Sequence, residues 1–212
     1  MIADTTYFSR NEGVCIFYSS TLNRVVDYSI ITYEKSSTYL ELRRRIERKG
    51  FTITAVVIDG RKGVREVFSG IPVQMCQFHQ LMILRRYLTL NPRLESAGEL
   101  KEICKYLCKM EKDEFIYIFN KWSEKWFGFL SERTRDDAGK WHYTHRRLRS
   151  ARRSIFTNLP YLFTYQDYPD LGIPNTTNCL ESLNAKLKEL TRVHRGYSKQ
   201  VKLKIIAEIL AN

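Results

Sequence analysis

The sequence predicts an α/β fold built on a mixed sheet, with elements in the order β-β-β-α-β-α-β-α and an all-helical insertion ahead of the last helix. Three observations predict it. Residues 1–8, 14–18 and 25–32 are rich in β-branched and aromatic side chains and are separated by the turn-forming runs Ser9-Arg10-Asn11-Glu12-Gly13 and Ser19-Ser20-Thr21-Leu22-Asn23, which is the pattern of an antiparallel meander. Residues 53–58 are almost continuously apolar, as a parallel strand covered on both faces must be. From residue 94 to about 158, apolar residues recur only at helical spacing.

Between the meander and the apolar strand, Thr38 followed by Glu41 has the pattern of a capping box, and Leu40 and Ile46 carry an amphipathic helix that ends at Gly50. A short helix over 64–68, a turn at Gly70-Ile71-Pro72 and a short strand over 73–75 lead into a helix over about 77–90. In the insertion, Leu100, Ile103, Cys104 and Leu107 make one apolar stripe, and Phe115, Ile118, Phe119, Trp122 and Trp126 make a second. Trp122 and Trp126 therefore read as core. A last helical pattern over 175–190 buries Leu180, Leu183, Leu187 and Leu190, with Glu181 and Lys188 two turns apart on a neighbouring face. The chain divides into residues 1–93, the first part of the sheet domain, 94–170, the insertion, and 171–212, the final helices.

An apolar share of 43% over 212 residues is enough for a real core. The 35 Lys plus Arg against 23 Asp plus Glu give a net charge of +12, which fits a polyanionic partner, nucleic acid first. A membrane is set aside, because no run approaches ~18 apolar residues and the basic segments lack the one-sided apolar face of an interfacial helix. Five cysteines, an odd number, and an opening Met1-Ile2-Ala3-Asp4-Thr5 without basic leader or apolar segment lead us to expect a reduced, cytoplasmic protein.

Three acids interrupt apolar elements that have few other reasons to carry them. They are Asp4 in the first strand, Asp59 at the end of Ile53-Thr54-Ala55-Val56-Val57-Ile58-Asp59-Gly60, and Glu181 in the last long helix. Carboxylates are what hard divalent cations take, and a cation pair ~3.5–4 Å apart stabilises both the attacking and the leaving oxygen when a phosphodiester is cut. Each acid also has a plain structural reading: Asp4 on a fraying strand, Asp59-Gly60 as an ordinary turn, Glu181 complementing its helix N-terminus. The element order is that of an RNase H-like domain, in which the first and fourth strands are parallel neighbours at the sheet centre. That arrangement would bring Asp4 and Asp59 together, with Glu181 closing the site from a helix.

Four motifs, in order, make the chain resemble the catalytic core of bacterial Mutator-type insertion-sequence transposases of the DDE class. They are Ala3-Asp4-Thr5-Thr6-Tyr7-Phe8, Val57-Ile58-Asp59-Gly60-Arg61-Lys62-Gly63, Val73-Gln74-Met75-Cys76-Gln77-Phe78-His79 and Asn175-Thr176-Thr177-Asn178-Cys179-Leu180-Glu181-Ser182-Leu183-Asn184, and together they span nearly the whole chain. The resemblance implies an RNase H-like core, two Mg²⁺ or Mn²⁺ ions, and hydrolysis of a phosphodiester to free a 3′-OH that then attacks target DNA. Asp4 and Asp59 would hold both ions and Glu181 one. His79 would act beside them, with Cys76 and Asn178 in support. The implied partners are transposon ends and target DNA, handled by a homodimer or larger assembly at the nucleoid because two ends must be joined. Members of the family usually carry an N-terminal DNA-binding region, whereas this chain begins on the first strand. A catalytically inactive DNA-binding remnant that keeps the fold and the basic surface is a second reading, and an RNase H-like nuclease or junction resolvase a third.

Cys76 and His79, with Cys104 and Cys108, are also four soft ligands in two short pairs, the number that structural zinc requires. Against zinc, Cys104 falls on an apolar stripe, where cysteine is commonly a small hydrophobe. Over 133–153 the chain interleaves Arg133, Arg135, Lys140, Arg146, Arg147, Arg149, Arg152 and Arg153 with Trp141, His142, Tyr143 and His145, the mixture that neutralises phosphates and stacks unpaired bases. Arg146, Arg149 and Arg153 are the DNA-contact candidates there, above an apolar stripe of Leu148, Ala151 and Ile155. Trp141 either stacks on a distorted or flipped base at a transposon end or belongs to the core. Arg61, Lys62, Lys186, Lys188 and Arg192 surround the acids in sequence and would position a DNA backbone without reading bases, or else are ordinary surface cations.

Overall fold

Strands β1 (Ile2–Ser9), β2 (Glu12–Ser19) and β3 (Arg24–Ile31) form an antiparallel meander in the computed structural model, which describes residues 1–193 and 196–211. Helix α1 (Ser36–Arg48), strand β4 (Val56–Ile58), helix α2 (Lys62–Val67), strand β5 (Val73–Met75) and helix α3 (Gln77–Leu88) follow. The five strands make one mixed sheet in the order β3-β2-β1-β4-β5, with β1 parallel to β4 and β4 parallel to β5. The protein is thus mixed α/β.

The insertion comprises α4 (Glu95–Lys105), α5 (Lys112–Lys125), α6 (Phe127–Ser131), a hairpin of β6 (Arg133–Arg135) and β7 (Trp141–Tyr143), then α7 (Arg146–Leu162) and α8 (Thr164–Asp167). Helices α9 (Asn178–Val193) and α10 (Lys199–Ala211) complete the described chain. The hairpin corrects the expectation of an all-helical insertion. Its turn places Gly139 at φ 82° and has Asp136 Oδ1 accepting the Lys140 amide at 2.8 Å, chemistry that suits an Asp-to-Gly turn between β-formers. A second correction concerns α1, which starts at Ser36 with Lys35 as its N-cap and no side-chain cap, so Thr38 and Glu41 do not act as a box. Strand β4 starts at Val56 rather than residue 53, and α9 runs three residues beyond the expected end.

Period-two alternation sorts the sheet's side chains to two faces. Ala3, Cys15, Phe17, Val56 and Ile58 pack against Tyr39, Leu42 and Ile46 of α1 and Val64 of α2. Ile2, Val14, Ile16, Tyr18 and Val57 pack on the opposite face with Leu180 and Leu187 of α9 and Ile206 and Leu210 of α10. Helices on both sides explain why the middle of β2 is buried without a break. The insertion has its own core, where Leu100, Cys104, Phe115, Phe119 and Trp122 meet Leu84 and Leu88 of α3 and Leu148, Ala151 and Ile155 of α7. Trp126 is partly buried against it.

Buried polar side chains fasten this second core to the sheet edge. Gln74 and Gln77 each donate Nε2 to the Leu162 carbonyl at 2.9 Å, Gln80 donates to Ser154 Oγ at 2.9 Å, and Asn158 donates to Gln80 Oε1 at 2.7 Å. No helix among the described residues is long and apolar enough to cross a membrane.

Candidate functional site

Ile2 of β1 and Val57 of β4 are register partners in a parallel pair. Two residues further along each chain come Asp4 and Asp59, and side chains return to the same face every two residues. Asp4 therefore issues on the face that Ile2 and Val57 share with α9, while Asp59 follows the last residue of β4 at its carboxyl end, the edge where open α/β sheets gather their ligands, and is not among the described residues lining the cavity under α9. Gly60 makes the turn out of β4 at φ +95°, and a Cβ there would meet Met75 Sδ at 2.5 Å, so the position is open only to glycine. Asp59 Oδ1 accepts the Arg61 amide at 3.0 Å and so also serves the turn.

Asp4, Thr5, Thr6, His79, Glu181, Asn184, Ala185 and Lys188 line a cavity of about 340 Å³. Asn184 of α9 donates Nδ2 to Asp4 Oδ2 at 2.9 Å. Glu181, one turn earlier on the same helix, is exposed at the cavity. Burial pushes the Asp4 carboxyl above its ordinary value, and Asp59 adds to that push, while His79, the Thr5 amide and Asn184 oppose it.

Register carries the site one strand further. Val57 pairs with Gln74 and Ile58 with Met75, which sets Cys76 beside Asp59. The Cys76 amide donates to the Ile58 carbonyl at 2.8 Å, and its Sγ lies 3.4 Å from Thr177 Oγ1 in the loop that opens α9. Burial opposes a Cys76 thiolate, but hydrogen bonds from His79 and Thr177 outweigh it and hold the thiol below its ordinary value. His79, one turn into α3, is raised to about 9 by its hydrogen bond to Cys76 and by the nearby Cys76, Asp4 and Asp59 charges, against burial.

Five buried side-chain polar atoms have no hydrogen-bond partner among the described residues, and three of these, Thr6 Oγ1, His79 Nδ1 and Asn184 Oδ1, belong to residues lining this cavity. Buried polar atoms in native folds are nearly always satisfied, so their clustering marks a polar ligand site. The donor chemistry fits a hard divalent cation: carboxylates of Asp4, Asp59 and Glu181 with hydroxyl and amide oxygens of Thr6 and Asn184 beside them. Among the described residues no three His, Cys, Asp or Glu side chains form a metal-holding group by themselves.

Of the four soft ligands, Cys76 and His79 are hydrogen-bonded to each other, and Cys104 lies in a different core. Cys104 packs in the insertion's core and Cys76 in the cluster on the α9 face. Asn178 is the exposed first residue of α9, Lys62 the exposed first residue of α2, and Arg192 lies exposed in the last turn of α9. Arg61 is paired with Glu34 at 2.9 Å. Lys188 lines the cavity. Trp141, on β7, is 61% exposed, which removes the core alternative for it. Arg146, Arg149 and Arg153 lie together along α7, at a second hollow. Thr6 and Asn184 are cavity residues that the sequence reading does not single out. Spacing was the signal for both, since Thr6 shares the face of Asp4 on β1 and Asn184 follows Glu181 by three positions.

No protein-family model matches the chain, and no curated protein matches it.

Proposed function

We propose that this chain is the catalytic core of a DDE-type DNA transposase of RNase H-like fold, with Asp4, Asp59 and Glu181 as the carboxylates that would hold Mg²⁺ or Mn²⁺. The supporting observation is that Asp59 follows the end of β4 beside β1, near enough to Asp4 to push its carboxyl up, and that Asp4 and Glu181 line one cavity where Thr6 Oγ1, His79 Nδ1 and Asn184 Oδ1 have no partner among the described residues. A strand order with β1 at the centre and β4 parallel beside it supports the fold reading. The net charge of +12 supports DNA as the partner.

Divalent cations bound there would stabilise charge on the attacking and leaving oxygens of an in-line displacement. The chain's own side chains do the rest. Asn184 orients the Asp4 carboxylate through its hydrogen bond to Oδ2. His79 stands beside the acids, held by its hydrogen bond to Cys76. Lys188 at the cavity and the arginines of α7 would neutralise the DNA backbone. Joining two ends requires a homodimer or a larger assembly.

Asp4→Asn, Asp59→Asn and Glu181→Gln are each expected to abolish Mg²⁺- or Mn²⁺-dependent strand cleavage, measured as plasmid nicking, while leaving DNA binding nearly intact. Cleavage retained in any one variant removes that residue from the site. Cleavage without joining of the freed 3′-OH to a second DNA points instead to a nuclease or resolvase.

A further inference from the structure

A second hollow lies on α7, lined among others by Tyr143, Arg146, Arg149, Arg152, Arg153 and Phe156, with a volume of about 390 Å³. That is within the ~300–1,000 Å³ typical of small-ligand sites. Arg146, Arg149, Arg152, Arg153 and Phe156 recur at helical spacing on one side of α7. Leu148, Ala151 and Ile155 on the other side are 3%, 0% and 0% exposed, so the apolar stripe anchors the helix and the basic stripe must face out. No acid is among the described lining residues.

Part of this wall is rigid. The Tyr143 ring has the Arg133 and Arg149 guanidiniums 4.7 and 3.4 Å from its centre, and Arg133 donates to the Tyr143 hydroxyl at 3.1 Å. Arg149 also donates to the Leu130 carbonyl, and Arg152 donates Nε to Ser123 Oγ at 3.1 Å. With those two arginines tied down, Arg146 and Arg153 are the exposed cations of the hollow. Phe156 is 64% exposed beside them.

Cations alone would suit any phosphate. The open phenyl ring adds a platform for a flat group, and a base offers its face to such a ring only when it is out of the stack. A concave site also receives one extruded nucleotide more readily than the convex backbone of a duplex. We propose that this hollow binds an unpaired DNA nucleotide, its phosphate on Arg146 and Arg153 and its base against Phe156. Trp141 of the hairpin is not among the described residues lining this hollow, and Tyr143, which is, has two guanidiniums against its ring, so Phe156 is the open ring here. The assignment rests on the proposed reading for DNA as the partner but is independent of strand cleavage.

The test uses the full chain in EDTA, titrated by fluorescence anisotropy with a blunt duplex and with the same duplex carrying a short single-stranded 3′ overhang. The overhang is expected to bind about tenfold more tightly. Phe156→Ala should remove that preference without changing blunt-duplex affinity, and Phe156→Tyr should keep it. A melting temperature for Phe156→Ala equal to that of the unmodified chain is expected of so exposed a ring and separates stacking from folding. Equal affinity for the two DNAs, or a preference that survives in Phe156→Ala, overturns the assignment. Failure to bind either DNA overturns it together with DNA as the partner. Intact overhang preference in a protein that never cleaves DNA overturns only the catalytic reading.

Discussion

Asp4 carries its charge in surroundings that disfavour it, because burial and the neighbouring Asp59 both raise its pKa above 3.8. The folded protein then binds a proton more tightly than the unfolded chain. With respect to this group, stability is greatest below the ordinary carboxylate value and declines as pH rises through the raised one. At pH 7, well above the ordinary carboxylate value, that cost is felt, so Asp4→Asn should be more stable than the unmodified chain in metal-free buffer. A relief of ~1 kcal/mol corresponds to a rise of about 2–4 °C in melting temperature for a chain of this size, and the difference should close below pH 3.8. A variant that melts lower at pH 7 contradicts the assigned environment. Stability given up at an acid is the usual mark of a site held for function. At this scale Asp4 and Asp59 were legible in the sequence because they interrupt apolar strands. Thr6 and Asn184 were not, since small polar residues have many benign reasons to sit on a strand or helix. The pairing of Arg61 with Glu34, between residues far apart in sequence, was equally out of reach.

At the scale of elements, α7 is held to α3 by a buried polar network centred on Asn158, which donates to Gln80 Oε1 and accepts from the Arg65 guanidinium. Truncation to Asn158→Ala leaves both partners without their mate, at a cost of about 1–3 kcal/mol. Thermal melting should show a corresponding fall of several degrees; an unchanged melting temperature would mean that the network does not hold the two helices. Apolar periodicity was sufficient to find α4 and α5, whose stripes bury Leu100, Cys104, Phe115 and Phe119. It could not find the β6–β7 hairpin, because β6 is exposed throughout and carries no core residue to create an alternating pattern. The start of α1 was missed for a related reason: the motif Thr38 to Glu41 is compatible with a cap, but the N-cap is Lys35, three residues earlier, and makes no side-chain cap.

For the whole molecule, the decisive feature is that β1 pairs with β4 across the long meander and α1, so Asp4 on one strand and Asp59 just past the end of the other become neighbours despite their distance in sequence. Element order made that pairing legible. How closely Glu181 approaches depends on the seating of α9, which Leu180 and Leu187 determine by packing on the sheet and which no local pattern encodes. Three cores then separate the labour: two cover the sheet that carries the acids, and the third supports the basic face of α7. The central claim is that the carboxylates at this edge grip divalent cations, and titration of the full chain with Mn²⁺, counting bound ions by electron paramagnetic resonance, tests it most directly. Saturable Mn²⁺ binding is expected, lost in both Asp4→Asn and Asp59→Asn; an unmodified chain that binds no Mn²⁺, or variants that bind it equally well, would contradict it.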